Sequence, residues 1–464
     1  MIKLITPNSI KFVLGGIALL FVSYILEVNM IVAVFLLAML VYLLRGKPAR
    51  KTYKLLDLVF LYVLIFVSAY LLVDEGLSIL YLPFPVIPML ATLIFADLEV
   101  SFILSLACGL SIAAISGNNL YLGLLFISSA ILSSLLVVNA RRRAVIIRAG
   151  VLVGLLQALS LFLMRRILLF PLPDQYLIVF LNGALSGIIV VGILPLFEYL
   201  FRRLTNISLL ELADFNHPLL HRMITEAPGT YHHSLIVGNL SEAACREIGA
   251  NALFARIGAY YHDIGKLEKP DYFSENQRIP SSRHDSLSPT MSKLVIMNHV
   301  KEGVELAKKY KLNPGLIDFI QQHHGNSLVY YFYRRALENN EEYKEIKEEG
   351  FRYPGPKPNS KETAIVLLAD SVEAATRSLK EPTAANIEEL VHKVINNKFI
   401  DTQLDECELT LKDLEKISAV FIKILAAMYH SRVNYPESTE SENNNKKPAK
   451  ELSRQPQKDK GADS

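Results

Sequence analysis

The chain contains no tryptophan and only three cysteines, and none of its eleven histidines comes before residue 217. Each absence excludes something. Cys108, Cys245 and Cys407 are scattered without a CxxC spacing, so neither a disulfide framework nor a zinc knuckle is indicated, and buried thiols in a reducing compartment fit better. The net charge is only +3 and no basic stripe with interleaved aromatics stands out, which argues against a nucleic-acid partner. The long apolar runs, in turn, stop near residue 203, and an ordinary soluble mixture of charged and apolar residues follows. Membrane character and histidine chemistry therefore occupy different halves of the chain.

A bilayer core takes about 20 apolar residues in a helix. Candidate spans lie near 10–27, 29–45, 55–74, 78–96, 100–116, 119–138, 146–165 and 177–200, about eight in all. A removed signal peptide is not expected, because no small-residue cleavage site precedes the second span. The basic stretch Arg45 to Lys51, then Arg141-Arg142-Arg143, then Arg202-Arg203 fall on one side if eight spans alternate, and Arg165-Arg166 falls on the other. The bias of positive loops toward the cytoplasm then puts both termini inside. The expected fold class is all-α: a polytopic helical membrane domain over 1–203, a helical cytoplasmic domain over 204–435, and a disordered polar tail over 436–464.

After residue 204 apolar residues recur at three- and four-residue intervals, as in Ser241 to Ile248 and Leu253 to Tyr261. Ser288-Pro289 reads as an N-cap followed by proline at the first helical position, opening a helix that carries His299. Leu316 to Gln322 predicts a short helix ending at His323-His324-Gly325, and Lys361 to Leu379 another that carries Asp370. Glu338 to Glu349 reads as an exposed helix end or loop, and the proline-rich run Phe351 to Pro358 as a rigid extended connector.

Imidazole and carboxylate groups recur along these helices: His232-His233, His262-Asp263, His299, His323-His324 and Asp370. Iron, manganese and zinc accept these ligands, and one carboxylate can hold a metal on each oxygen. Asp263 is the natural bridge, with His299, His323 and His324 completing a second site. Two cations about 3.5–4 Å apart would activate a water and clamp a phosphoryl group. Lys266 could neutralise a phosphate oxygen or be a surface lysine, and Arg377 could hold a second phosphate or form an exposed ion pair. His232 and His233 compete for the first ligand place. His217, His221, His284, His392 and His430 read as structural, and His284-Asp285 as a decoy in a polar loop. Tyr231, Tyr272 and Asn298 are candidate base contacts with an ordinary structural reading beside that one.

The segments Ala227-Pro228-Gly229-Thr230-Tyr231-His232-His233-Ser234, Gly258 to Leu267 and Phe351 to Pro358 carry a resemblance, as do Leu368 to Ala375 and Leu404 to Cys407. There the chain resembles the HD superfamily of metal-dependent phosphohydrolases. More closely, over about residues 30–435, it resembles the seven-transmembrane-receptor HD family, whose members include cyclic di-AMP phosphodiesterases. The resemblance selects His233 over His232. It implies His233, His262, Asp263 and Asp370 around one metal and His299, His323 and His324 around the other, with Asp263 shared. It implies an HD hydrolase domain on the cytoplasmic side of a bacterial cell membrane, cleaving cyclic di-AMP to pApA with two divalent transition-metal ions, manganese or iron foremost. The run after His324 lacks the Gly-Tyr-Pro of the cyclic di-GMP group. The alternatives are an HD phosphohydrolase of another nucleotide, either another cyclic dinucleotide or a guanosine polyphosphate, and a non-catalytic nucleotide-sensing membrane module. Expected partners are the cyclic dinucleotide, the lipid bilayer, and either a second copy in a homodimer or a regulatory membrane partner. Many family members carry a large extracellular domain between the first two spans. Here that loop is a few residues, so control through such a domain is not expected.

Overall fold

A computed structural model describes residues 55–164, 173–277, 283–338 and 346–429. The first two expected spans, the Arg45 to Lys51 loop, Arg165-Arg166, His430 and the polar tail lie outside the described residues, as does most of the charged run after Glu338. Among the described residues every regular element is helical, apart from one isolated bridge between Leu328 and Arg352.

The apolar half comprises α1 (Leu55–Asp74), α2 (Val86–Phe95), α3 (Leu98–Ile115), α4 (Leu120–Val137), α5 (Arg143–Met164) and α6 (Pro173–Phe201). All but α2 are long and apolar enough to cross a membrane. The expected helix over 78–96 is corrected here, because only 86–95 is α-helical, preceded by a 3-10 turn at Ile79–Tyr81. Pro83 and Pro85 are the reason, since each lacks a backbone donor and disfavours helix in the residue before it. The segment still runs along α6. The Asn182 side chain donates to the carbonyls of Leu80 and Leu82, and the Phe95 ring stacks on Phe201 at the other end of α6. Non-helical backbone inside a bilayer has to find internal partners, and Asn182 supplies them.

Helices α3 and α4 begin where Asp97 and Asn119 cap free backbone N–H groups. Helices α5 and α6 approach closely through Gly150 and Gly154 on one and Gly183 and Gly187 on the other. Small residues allow backbone contact of this kind between apolar helices.

The two halves join through a short, polar connection. After Phe201 the chain enters α7 (Asn206–Leu212), capped by Thr205. Glu198, in the last turn of α6, accepts from the Thr205 backbone N–H and hydroxyl and from the Ser208 hydroxyl. Arg143, at the start of α5, pairs with Glu211 of α7 at 2.7 Å. The basic loop Arg141 to Arg143 thus lies on the face of the apolar bundle that meets the histidine-rich half.

That half comprises α8 (Pro218–Glu226), α9 (Pro228–Ile248), α10 (Ala252–Tyr261), α11 (Pro289–Lys309), α12 (Pro314–Gln322), α13 (Tyr330–Glu338), α14 (Lys361–Arg377), α15 (Ala384–Ile400) and α16 (Leu411–Met428). Helix α14 is the axis. It opens with a Ser360/Thr363 capping box, is buried continuously from Thr363 to Asp370, and is surrounded by α9, α10, α12, α15 and α16. Each buried Leu, Ile or Val contributes about 1.5–3 kcal/mol, so the axis is fixed before any ligand arrives. Helix α10 is tied to the junction, because the buried Tyr261 donates its hydroxyl to the Leu212 carbonyl at 2.7 Å.

A methyl group at Gly154 would run into the Phe180 carbonyl, whereas one at Gly192 on α6 meets nothing within 4 Å. Gly154→Ala is therefore expected to destabilise the detergent-solubilised chain by about 1–3 kcal/mol, and Gly192→Ala is not. Thermal unfolding of the two variants side by side checks this, and equal midpoints would contradict it.

Candidate metal centre

Helix α10 ends at Tyr261, His262 caps it, and the chain tightens into a 3-10 turn over Ile264–Glu268. His262 and Asp263 consequently lie at a helix end rather than within a helix, as does Lys266 in the 3-10 turn. The turn packs directly on α11, and Gly265 permits it: a Cβ there would collide with the His299 carbonyl. Helix α9 supplies His233, α11 supplies His299, the end of α12 supplies His323 and His324, and α14 supplies Asp370. Four helices and one turn converge on a point.

Asp263 sits at that point and is 1% exposed. Its Oδ2 lies 3.2 Å from His262 Nε2 and 3.6 Å from His233 Nε2. Its Oδ1 lies 3.3 Å from His299 Nε2 and 3.6 Å from His323 Nε2. The two oxygens therefore face two different pairs of imidazoles. Asp370 Oδ1 lies 3.1 Å from His233 Nε2, and its Oδ2 lies 3.5 Å from His324 Nδ1. His299, His323 and His324 form one group with ligand atoms within 4.8 Å of one another, and His233, His262 and Asp370 form another. His232, in contrast, is not in any such group among the described residues.

The donor set fits divalent transition metals. His233 Nε2, His262 Nε2 and Asp263 Oδ1 are buried without a hydrogen-bond partner, an arrangement that costs about 1–3 kcal/mol per group unless something else binds there. Burial holds His299 down to about 4 and pushes His324 well below its ordinary range, with His323 adding to both, so these imidazoles are neutral and can donate a lone pair. Burial opposes ionisation of Asp263, but Lys266 and His262 outweigh it and hold the carboxyl well below the usual range. Burial likewise disfavours the charged form of His233, yet Asp370 and Glu373 outweigh it and push the imidazole up to about 9. Asp263 and Glu275 hold the Lys266 ammonium, and Asp370 and Glu373 meet His233, so four largely buried carboxylates gather at the cluster. An excess of buried negative charge of this kind draws in cations.

Lys266 departs from its expected place. Its ammonium is committed to Asp263 at 2.8 Å and Glu275 at 2.7 Å. It pairs with both carboxylates and also lines the cleft over the histidine cluster. Arg377 is 40% exposed on the last turn of α14, with its guanidinium 4.0 Å from Glu373, and it lines the cleft. That cleft, of about 530 Å³, opens over the histidine cluster between Arg377 and an aromatic wall of Tyr272, Phe273, Tyr331, Phe332 and Tyr353. His284, taken from the sequence as a decoy, also lines it, with its Nε2 2.9 Å from the Tyr272 carbonyl. Of the other candidate base contacts, Tyr231 packs against Phe215, and Asn298 donates to Glu302 on its own helix.

A family model described as a 7TM receptor with intracellular HD hydrolase matches residues 19–205, and a model of the HD domain matches 230–375. The cyclic-di-AMP phosphodiesterase PgpH of Bacillus subtilis (strain 168) is 44% identical over 326 residues, covering 69% of this chain and 45% of that protein. Its counterpart from Listeria monocytogenes serotype 1/2a (strain 10403S) is 43% identical over 301 residues, covering 64% of this chain and 42% of that protein. The crystal structure of the L. monocytogenes phosphodiesterase PgpH HD domain in complex with cyclic-di-AMP is 45% identical, covers 47% of this chain and 100% of that chain, and has a TM-score of 0.45. The chain carries a membrane domain of the 7TM HD family followed by an HD domain. It spans less than half the length of the two curated relatives.

Three residues near the cluster were not singled out from the sequence. Glu373 meets His233, and its spacing of three from Asp370 on one helix face was a usable signal. Tyr353 stacks on His324 with ring centres 4.3 Å apart. Glu275 reaches Lys266 only because the irregular turns after Leu267 fold back, and no periodicity announces that.

Gly265→Ala is expected to push the 3-10 turn off α11, lowering stability by about 1–3 kcal/mol and weakening metal uptake. Gly350→Ala, where a Cβ meets nothing within 4 Å, serves as the control. Manganese titration and thermal unfolding of both variants check this. A Gly265→Ala protein with normal uptake and stability would contradict it.

Proposed function

We propose that the chain is a membrane-anchored phosphodiesterase that hydrolyses cyclic di-AMP to pApA. The observation that carries this reading is the Asp263 carboxylate, whose two oxygens each face a separate pair of imidazoles. The names of the relatives supply the substrate.

His233, His262, Asp263 and Asp370 would hold one cation and His299, His323 and His324 the other, with Asp263 shared and manganese or iron as the ions. When bound, the pair supplies Lewis-acid activation of a phosphoryl group and of the attacking water. The chain's own residues do the rest. Lys266 holds Asp263 ionised and in place, and Arg377 at the rim is positioned to take a non-bridging phosphate oxygen. The aromatic wall offers flat faces to nucleobases. Water adds across one phosphodiester bond, leaving a 5′-phosphate on one nucleoside and a free 3′-hydroxyl on the other.

The Arg143–Glu211 pair supports a cytoplasmic site. It puts the basic loop and the metal cluster on the same face of the apolar bundle, and basic loops favour the cytoplasm.

The test is turnover by the full chain in detergent or nanodiscs, loaded with manganese, on cyclic di-AMP, other cyclic dinucleotides and a guanosine polyphosphate. The expected product is pApA. Asp263→Ala is expected to lose on the order of 10²–10³-fold in rate or more. Arg377→Ala is expected to raise KM roughly 10-fold, the value of one charge-assisted hydrogen bond. Turnover of the guanosine polyphosphate alone would transfer the site to that substrate. No turnover by folded, metal-loaded chain would overturn the enzymatic reading.

A further inference from the structure

The imidazoles around Asp263 are not all held in the same way. His262, His299 and His323 each place Nδ1 on a carbonyl three residues back, at Ala259 (2.6 Å), Ile296 (2.6 Å) and Ile320 (2.9 Å). A carbonyl only accepts, so Nδ1 carries the proton and Nε2 is left as the lone-pair donor facing Asp263. The helix itself therefore sets their tautomer.

His233 has no such carbonyl partner among its hydrogen bonds. Its Nδ1 lies 2.6 Å from Oε2 of Glu373, on a different helix, and both side chains are at most 3% exposed. Glu373 sits one turn beyond Asp370 on α14, so a single helix supplies a candidate ligand and the clamp for another. A carboxylate facing the distal N–H of an imidazole fixes its orientation and raises the basicity of the opposite nitrogen. A backbone carbonyl does the first but much less of the second.

We infer that Glu373 is a positioning residue for the metal place formed by His233, His262 and Asp370, fixing His233 through its Nδ1 and leaving the place formed by His299, His323 and His324 to stand without it. The inference rests on the two-metal reading proposed above. It separates the two places: one depends on a side chain from another helix, and the other is built mainly from imidazoles whose own helices orient them.

The test is manganese binding by the full chain, followed by titration and by electron paramagnetic resonance, with E373Q and E373A beside the unaltered protein. The unaltered chain is expected to take up two ions and give the spectrum of a spin-coupled pair. E373Q keeps a neutral acceptor at the same place and is expected to weaken one of the two binding steps roughly 10-fold, and E373A up to about 100-fold. At manganese levels that fill only the stronger place, both variants are expected to show the six-line signal of an isolated ion. Thermal unfolding of the metal-free proteins reports any purely structural role. If E373A does not fold, E373Q decides the matter.

Two ions bound with unchanged affinity by folded E373Q and E373A would overturn the inference. Equal weakening of both steps would also overturn it, since that is what a merely structural tie between α9 and α14 produces. An unaltered chain that binds fewer than two ions would overturn the two-metal reading first, and this inference with it.

Discussion

Everything in the histidine-rich half is arranged around one buried carboxylate that faces two ways. Left alone, an ionised Asp263 in that interior would be strongly disfavoured, because burial costs a charge several kcal/mol unless it is paired. Lys266 supplies the pair, and Glu275 in turn holds Lys266 while accepting from the Thr230 hydroxyl at the start of α9. The chain Thr230, Glu275, Lys266, Asp263 runs from a helix N-terminus to the centre of the cluster. It keeps Asp263 charged with one oxygen turned to each imidazole pair. The remaining excess of carboxylate is what makes the cluster a place for cations.

That geometry needs a rigid surround, and the core provides it. Helix α14 carries Asp370 and Glu373 on a shaft buried continuously from Thr363 to Asp370, and Gly265 lets the turn bearing Asp263 lie against α11. The junction reaches the same place from the other side. Glu198 fastens α7 to the end of α6, and Tyr261, the residue before His262, is hydrogen-bonded to the last carbonyl of α7. The apolar bundle and the metal cluster are thus joined through short, mostly polar contacts and no long linker.

How much of this was legible depended on what kind of signal each element leaves. Apolar runs announced α1 and α3 to α6, and caps such as Ser288 announced α11, because length, hydropathy and capping are local properties. Pro83 and Pro85 mark the break before α2, and the high mean apolarity of the segment masks it. Spacing and resemblance picked out His233, His262, Asp263, His299, His323, His324 and Asp370, and the structure brings these side chains together. The sequence offers Lys266 as a phosphate contact or a surface lysine on a helical face. It lies in a 3-10 turn between two carboxylates, because α10 stops at Tyr261. The polar neighbours of His284 give no sign in the sequence of the cleft that it lines. Contacts made across more than a hundred residues, such as Glu373 with His233, show in a single sequence only indirectly, here through the spacing of three between Asp370 and Glu373.

The most direct test of the account is anomalous diffraction at the manganese or iron edge from crystals of the metal-loaded chain. The account predicts two peaks about 3.5–4 Å apart, one against each oxygen of Asp263. A single peak, or a second peak away from Asp263, would contradict it.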